Sequence, residues 1–239
     1  MTLEEAIAKI KPLDHNAMEI AQKRWDSIAK PLHSLGKLET LLIQIAGITG
    51  NAEVDLSRRG LIAMCADNGV VEEGVTQTGQ EVTAIVAENF LKYDTSVGVM
   101  CKQNHAEIFP VDMGMVTDTK VRTDHKIAYG TQNMTKGPAM TREQAVKGLE
   151  AGIDMVRELN DKGYRILATG EMGIGNTTTS SAVASVLLKQ PVEEMTGRGA
   201  GLTSEGLVRK INAIKKAITL NKPDPEDAID VLAKVGGLD

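Results

Sequence analysis

Aromatic side chains are scarce: Phe, Tyr and Trp make up 3% of the 239 residues, and Trp25 is the single tryptophan. So few rings leave no stacking platform for single-stranded nucleic acid. A basic excess is also missing, since 27 Lys and Arg stand against 32 Asp and Glu, a net charge of -5. No global positive field draws the chain to nucleic acid or to an anionic leaflet, and small molecules or the chain itself are the expected partners. Long apolar runs are absent. Leu61–Ala66 and Ala182–Leu188 are among the longest, far below the roughly 20 residues of a membrane span. The amino terminus, Met1-Thr2-Leu3-Glu4-Glu5-Ala6, is acidic and does not read as a secretory signal, so the cytoplasm is the expected compartment. Cysteine is nearly absent too. Cys65 and Cys101 lie in apolar surroundings without metal-ligand or redox spacing and read as core thiols. His15, His33, His105 and His125 are scattered, so no metal site is expected. No Gly-x-Ser-x-Gly elbow is present.

What remains is an ordinary globular composition, 42% hydrophobic and 25% charged, able to bury a full core. Residues 1–50 carry helical periodicity. Leu3, Ile7 and Ile10 share a face, Asp14 is placed as an N-cap, and Leu38, Leu41, Leu42 and Ile45 lead to Gly47 and Gly50. These predict a small helical subdomain. From residue 51 the pattern changes. Leu61–Ala66, Ala106–Asp112 and Tyr164–Thr169 are short apolar runs of the kind buried parallel strands show. Helical segments fall between them: 81–92, one opened by Thr141 with Glu143 near its start and closed by Gly163, one through Leu220, and a last one ending at Val235. The alternation predicts an α/β domain over 51–239, a Rossmann-like parallel sheet flanked by helices, with a ligand crevice at the strands' carboxyl ends. Residues 113–140 lack periodicity and read as a loop or short strands over a site.

The most informative stretch is Gly170-Glu171-Met172-Gly173-Ile174-Gly175-Asn176-Thr177-Thr178-Thr179, between a strand and a helix. Its glycines let backbone approach a ligand closely, and the helix start offers unpaired N–H groups and the positive end of a dipole. That suits a phosphate, with Asn176 and the threonines as capping or anion-binding groups. A tight strand-to-helix turn with an ordinary cap has the same pattern. The stretch is neither a P-loop, for want of the lysine, nor a dinucleotide fingerprint. On this reading a side chain at Gly175 occludes the amide cradle at little cost in folding. Gly197, Arg198, Gly199 and Gly201 form a second candidate anion clamp, with Lys210 in the following helix. Asp67 and Asp112 close two strands, where acids commonly only cap the next helix. Glu171 is sharper: a carboxylate beside a phosphate loop is repelled by the anion unless it points to another part of the ligand, such as a sugar hydroxyl or a cationic ring.

Five blocks occur in one order: Lys30-Pro-Leu-His-Ser-Leu-Gly-Lys-Leu-Glu-Thr40, Ala66-Asp-Asn-Gly-Val70, Gly170 to Thr178, Gly197-Arg-Gly-Ala-Gly-Leu202, and Asp230-Val-Leu-Ala-Lys-Val-Gly-Gly237. Together they resemble the nicotinate-nucleotide:dimethylbenzimidazole phosphoribosyltransferase family over nearly the whole chain. The resemblance implies transfer of phosphoribose from nicotinate mononucleotide to 5,6-dimethylbenzimidazole or a related base, giving α-ribazole 5′-phosphate and nicotinate for the lower ligand of cobalamin. It implies a homodimer and neither a cofactor nor a metal. Carried over by position, Gly173, Gly175, Asn176 and Thr177 face the nucleotide phosphate, Gly199 and Lys210 assist, and Glu171 is a secondary carboxylate at the nucleotide.

The chain also departs from the family. The family's catalytic glutamate belongs to a Gly-Glu-Gly-type loop in its last third, and the sequence ends at Asp239, before that segment. In the base pocket Thr78 and Val86 stand where members carry a serine and a glutamine, which removes a hydrogen bond to the attacked base and admits another azole or a phenolic. The family's Asp-His-Gly reads Asp67-Asn68-Gly69, and His33 takes a usual glycine position. A different class of function, a noncatalytic nucleotide-binding or partner subunit lacking the catalytic glutamate, is therefore the alternative.

Overall fold

A computed structural model describes residues 1–239, which divide into two compact units, Met1–Arg58 and Arg59–Asp239. The first holds helices α1 (Leu3–Ala8), α2 (His15–Ser27) and α3 (Lys37–Thr49). Thr2 and Glu5 close a capping box on α1, and the Asp14 carboxylate accepts the Ala17 N–H at the start of α2, the cap the sequence predicts. Gly50 ends α3 in the left-handed conformation. Within this unit Lys30 Nζ lies 2.9 Å from a buried Glu39 carboxylate, which also accepts the Leu35 N–H and so fixes the chain entering α3.

The second unit is built on three parallel strands in the order β2-β1-β3: β1 (Arg59–Ala66), β2 (Ala106–Gly114) and β3 (Ile166–Met172). Around them run α4 (Glu81–Lys92), α5 (Ser96–Gln103), α6 (Arg142–Asp161), α7 (Asn176–Leu187), α8 (Val192–Met195), α9 (Ser204–Asn221) and α10 (Ala228–Val235). This is the parallel sheet flanked by helices that the sequence predicts. Thr95 accepts the Gly98 N–H and starts α5. Thr141 caps α6 with Glu143 in its first turn, as the sequence predicts, and Gln144, the third helical residue, reaches back to the Thr141 N–H and closes the capping box. The strand β3 is displaced: it begins at Ile166 and runs through Glu171 to Met172, paired with Met64 and Cys65 of β1. Gly170 and Glu171 are thus strand residues, and the loop proper is only Gly173–Gly175.

The residues between β2 and α6 form no strand beyond one bridge, Val111 to Arg122, yet they are well packed, with Met115, Val121, Met134 and Met140 buried. Cys65 and Cys101 are buried and unpaired, and burial raises the Cys65 thiol to about 12, an inert core thiol. Asp112 is buried, salt-bridged to Lys126 at 3.1 Å and accepting the Met115 N–H, so it belongs to the scaffold.

Candidate active site

The strand β1 ends at Ala66 and β3 at Met172, side by side at the carboxyl edge of the sheet, where ligand crevices of α/β folds lie. Directly after β3, Gly173 and Gly175 make the turn into α7. A methyl on Gly173 would come within 2.5 Å of the Ala66 carbonyl oxygen and run into the Asp239 carboxylate, so only glycine fits. Gly175 has φ +96° and caps α7 without a side chain. The capping that the sequence assigns to Asn176 does not occur: the Asn176 amide donates to Glu171 instead, because the helix begins at Asn176 itself. A methyl on Gly175 would meet Val71 at 3.0 Å and Asn68 at 3.2 Å, not a cavity, which corrects the expectation that a side chain there occludes the cradle at little cost in folding.

The two glycine loops meet. A cavity of about 120 Å³ is lined by Gly173, Gly175, Asn176 and Thr177 from the first loop and by Arg198, Gly199 and Lys210 from the second, with Thr78 at its edge. Lys210, two turns into α9, is 1% exposed. Its ammonium donates to Thr177 Oγ1 at 2.7 Å and to the Gly197 carbonyl at 3.2 Å and has no carboxylate partner. Burial holds its pKa below the ordinary lysine value. A desolvated cation compensated only by neutral oxygens is a site waiting for an anion. Gly199 stands against it: with φ +54°, its missing methyl would lie 2.8 Å from Thr177 Oγ1 and 3.4 Å from Lys210 Nζ. Arg198 contributes less than a clamp implies, since its guanidinium donates to the Leu202 carbonyl and to Ser204, folding its own loop.

Glu171 does not line this cavity. It borders a separate one of about 270 Å³ with Asn176, Thr179, Ser180, Gly237 and Asp239. Burial pushes the Glu171 carboxyl up, and the hydrogen bond from Asn176 opposes the shift. Asn176 borders both cavities and holds the Glu171 carboxylate on the side away from Lys210. Asp239, lining the same cavity, is raised to about 7 chiefly by burial, with the neighbouring charges of Glu171 and Asp67 adding to the shift and hydrogen bonds from its own backbone and from Asn68 opposing it. Val86, on α4, packs against the apolar cluster of β1 and Phe90 and borders neither cavity.

Gln77 and Gln80 carried no sequence signal, and Asn68 showed only as a departure from the histidine the family has there. Gln77 donates to the Gly201 carbonyl and Gln80 to the Asn68 carbonyl at 3.1 Å, drawing the segment before α4 over the second glycine loop. Asn68, fully buried, reaches the Ile174 carbonyl, Thr179 and the Asp239 carboxylate. Lone glutamines and asparagines in loops have no periodicity to reveal them. A roomier cavity, about 540 Å³, lies in the first unit around Arg24, Trp25, Ile28 and Leu42. It has no glycine loop and no unpaired cation, so volume alone does not locate the chemistry.

Comparison with known proteins places the chain in a family. A family model described as phosphoribosyltransferase matches residues 10–239. The chain is 53% identical to the nicotinate-nucleotide--dimethylbenzimidazole phosphoribosyltransferase of Ruminiclostridium cellulolyticum, covering 100% of this chain and 68% of that protein. It is 48% identical to the protein of the same name from Clostridium tetani, covering 99% and 66%. The crystal structure of CobT from Thermus thermophilus superposes with a TM-score of 0.85 at 35% identity, over 93% of this chain and 68% of that one. The chain thus spans about two thirds of the length of these relatives. On the family match and these identities, the chain belongs to the nicotinate-nucleotide--dimethylbenzimidazole phosphoribosyltransferase family.

Proposed function

We propose that this chain transfers phosphoribose from nicotinate mononucleotide to 5,6-dimethylbenzimidazole or a related base, in the assembly of the cobalamin lower ligand, and that residues 51–239 hold the nucleotide. The observation that carries the reading is Lys210: a buried ammonium with no carboxylate partner, seated where two glycine loops meet. The 5′-phosphate occupies that cavity, against Lys210, Thr177 and the open backbone of Gly173–Gly175 and Gly199.

The chemistry needs little more than alignment. The nicotinate ring is a pyridinium while bound to the ribose and departs with a neutral nitrogen, taking the bond pair. The base nitrogen attacks the opposite face of the anomeric carbon, which inverts β to α, and the base's second ring nitrogen gives up its proton to a carboxylate. Holding the reactants in line is worth up to roughly 7–11 kcal/mol of barrier, and a carboxylate base roughly 10²–10⁴ in rate. Glu171 serves the nucleotide beyond its phosphate, as a secondary carboxylate. Thr78 is assigned to the base side, and Val86, packed against the apolar cluster of β1 and Phe90, has no hydrogen bond to offer there. The reading includes a homodimer acting in the cytoplasm. What the fold contributes to that statement is narrower: no helix is long and apolar enough to cross a membrane.

Isothermal titration with nicotinate mononucleotide tests the site. Saturable binding that Lys210→Met weakens about 10–100-fold is expected. Equal affinity in a folded Lys210→Met variant refutes the assignment. Release of nicotinate on adding 5,6-dimethylbenzimidazole separates a transferase from a subunit that only binds the nucleotide.

A further inference from the structure

The loop that receives the anion is short, and its middle peptide is already engaged. Ile174, between Gly173 and Gly175, donates its N–H to Thr83 Oγ1 at 3.1 Å. Thr83 is fully buried in the first turn of α4, far from the loop in sequence. A threonine hydroxyl both accepts and donates. Beside it, Asp67 is almost completely buried at the end of β1, where burial pushes its carboxyl up; one carboxylate oxygen accepts the Val116 N–H at 2.8 Å and the other has no partner. The Ile174 carbonyl, in turn, accepts from the Asn68 amide at 3.5 Å. Both the N–H and the carbonyl of Ile174 are therefore held by side chains from the stretch that runs from the end of β1 into the first turn of α4.

That arrangement selects which amides stay open. Asn176 and Thr178 donate back to the carbonyls of Gly173 and Gly175, and Ile174 donates to Thr83. No protein acceptor takes the N–H of Gly175 or of Thr177, and both residues line the cavity beside Lys210. We propose that Thr83 is a positioning residue of the anion cradle: by occupying the Ile174 N–H it fixes the loop so that Gly175 and Thr177 present theirs to a phosphate. The inference rests on the phosphate reading of the cavity made above.

Thr83→Val keeps the shape of the side chain and removes the hydrogen bond from Ile174, while Thr83→Ser retains it. Loss of the buried bond is expected to weaken nicotinate mononucleotide binding about tenfold, equivalent to ~1.4 kcal/mol. Serine is expected to restore it to within about twofold, and the dephosphorylated riboside to bind valine and wild-type proteins alike. Valine and serine variants of equal affinity, or a riboside that loses as much as the mononucleotide, would overturn the proposal. A measurement on the wild-type protein covers the case in which the valine variant does not fold. On titrating inorganic phosphate, amide resonances of Gly175 and Thr177 should shift and that of Ile174 stay in place. A large shift at Ile174 with none at Gly175 and Thr177 overturns the lock while leaving the cavity's affinity for phosphate intact. A wild-type chain that binds neither phosphate nor mononucleotide removes the cradle itself, and the proposal with it.

Discussion

Asn176 and Thr177, adjacent in the first turn of α7, serve opposite charges. Asn176 donates to the Glu171 carboxylate, whereas Thr177 accepts from the Lys210 ammonium at 2.7 Å. One helical step, about 100° of rotation, separates a cationic cavity from an acidic one, and a ligand carrying a phosphate at one end and a cationic ring at the other matches that order.

Lys210 is the first place to test it. Lys210→Met should reduce nicotinate mononucleotide affinity about 10–100-fold, the usual loss for a charge-assisted hydrogen bond. The melting temperature of the free protein should hold or rise, because the variant no longer buries an unpaired ammonium. Calorimetry and thermal melting report the two effects separately. Lowered affinity together with a large loss of stability would show a structural lysine instead.

The same group sets a pH dependence. Since burial lowers the Lys210 pKa, the free site loses its positive charge at a pH below the ordinary lysine range, and mononucleotide affinity should decline as pH rises through that lowered value. Binding titrations in the alkaline range check this. An affinity that stays level until pH 10.5, the ordinary lysine value, contradicts it.

The two positive-φ glycines that line the cavity, Gly175 and Gly199, should behave differently. Gly199→Ala places a methyl against Thr177 Oγ1 and Lys210 Nζ and should abolish mononucleotide binding. Gly175→Ala presses on Val71 and Asn68 instead, in a backbone conformation disfavoured for alanine, and should cost about 1–3 kcal/mol of folding stability. Chemical denaturation and calorimetry on both variants distinguish cradle from scaffold.

Glu171→Gln should leave the affinity for inorganic phosphate within about twofold, since the side chain borders the other cavity and glutamine can still accept from Asn176. Phosphate affinity changed as much as in Lys210→Met would place Glu171 in the cradle.

Asp239 links stability to pH. Its carboxyl is raised from 3.8 to about 7, chiefly by burial. A raised folded-state pKa favours the protonated form, so this contribution is complete below about pH 4 and is lost as pH climbs to 7. Melting temperatures between pH 4 and 8 should fall for wild type and fall less for Asp239→Asn. Parallel profiles would remove Asp239 as the cause.

Much of this was legible in the residues themselves. The apolar run Leu61–Ala66, the caps at Asp14 and Thr141, and the helix ends at Gly50 and Gly163 are local signals, and the chain obeys them. The glycine loops were legible as well, as was Lys210, through spacing and resemblance. The extent of β3 was not: Gly170 looks like a loop residue until β1 offers it a hydrogen-bonding edge opposite Ala63.

The order of residues was enough to mark out the helical and strand segments and the family, because propensity, capping and periodicity act between near neighbours. Three-dimensional packing alone settled which polar groups were already spoken for: that Arg198 ties its own loop, that Thr83 occupies the Ile174 amide, and that Glu171 and Lys210 face different cavities. A buried hydrogen bond or charge takes its partner from whatever the fold brings within about 3 Å, and that partner can come from any distance along the chain.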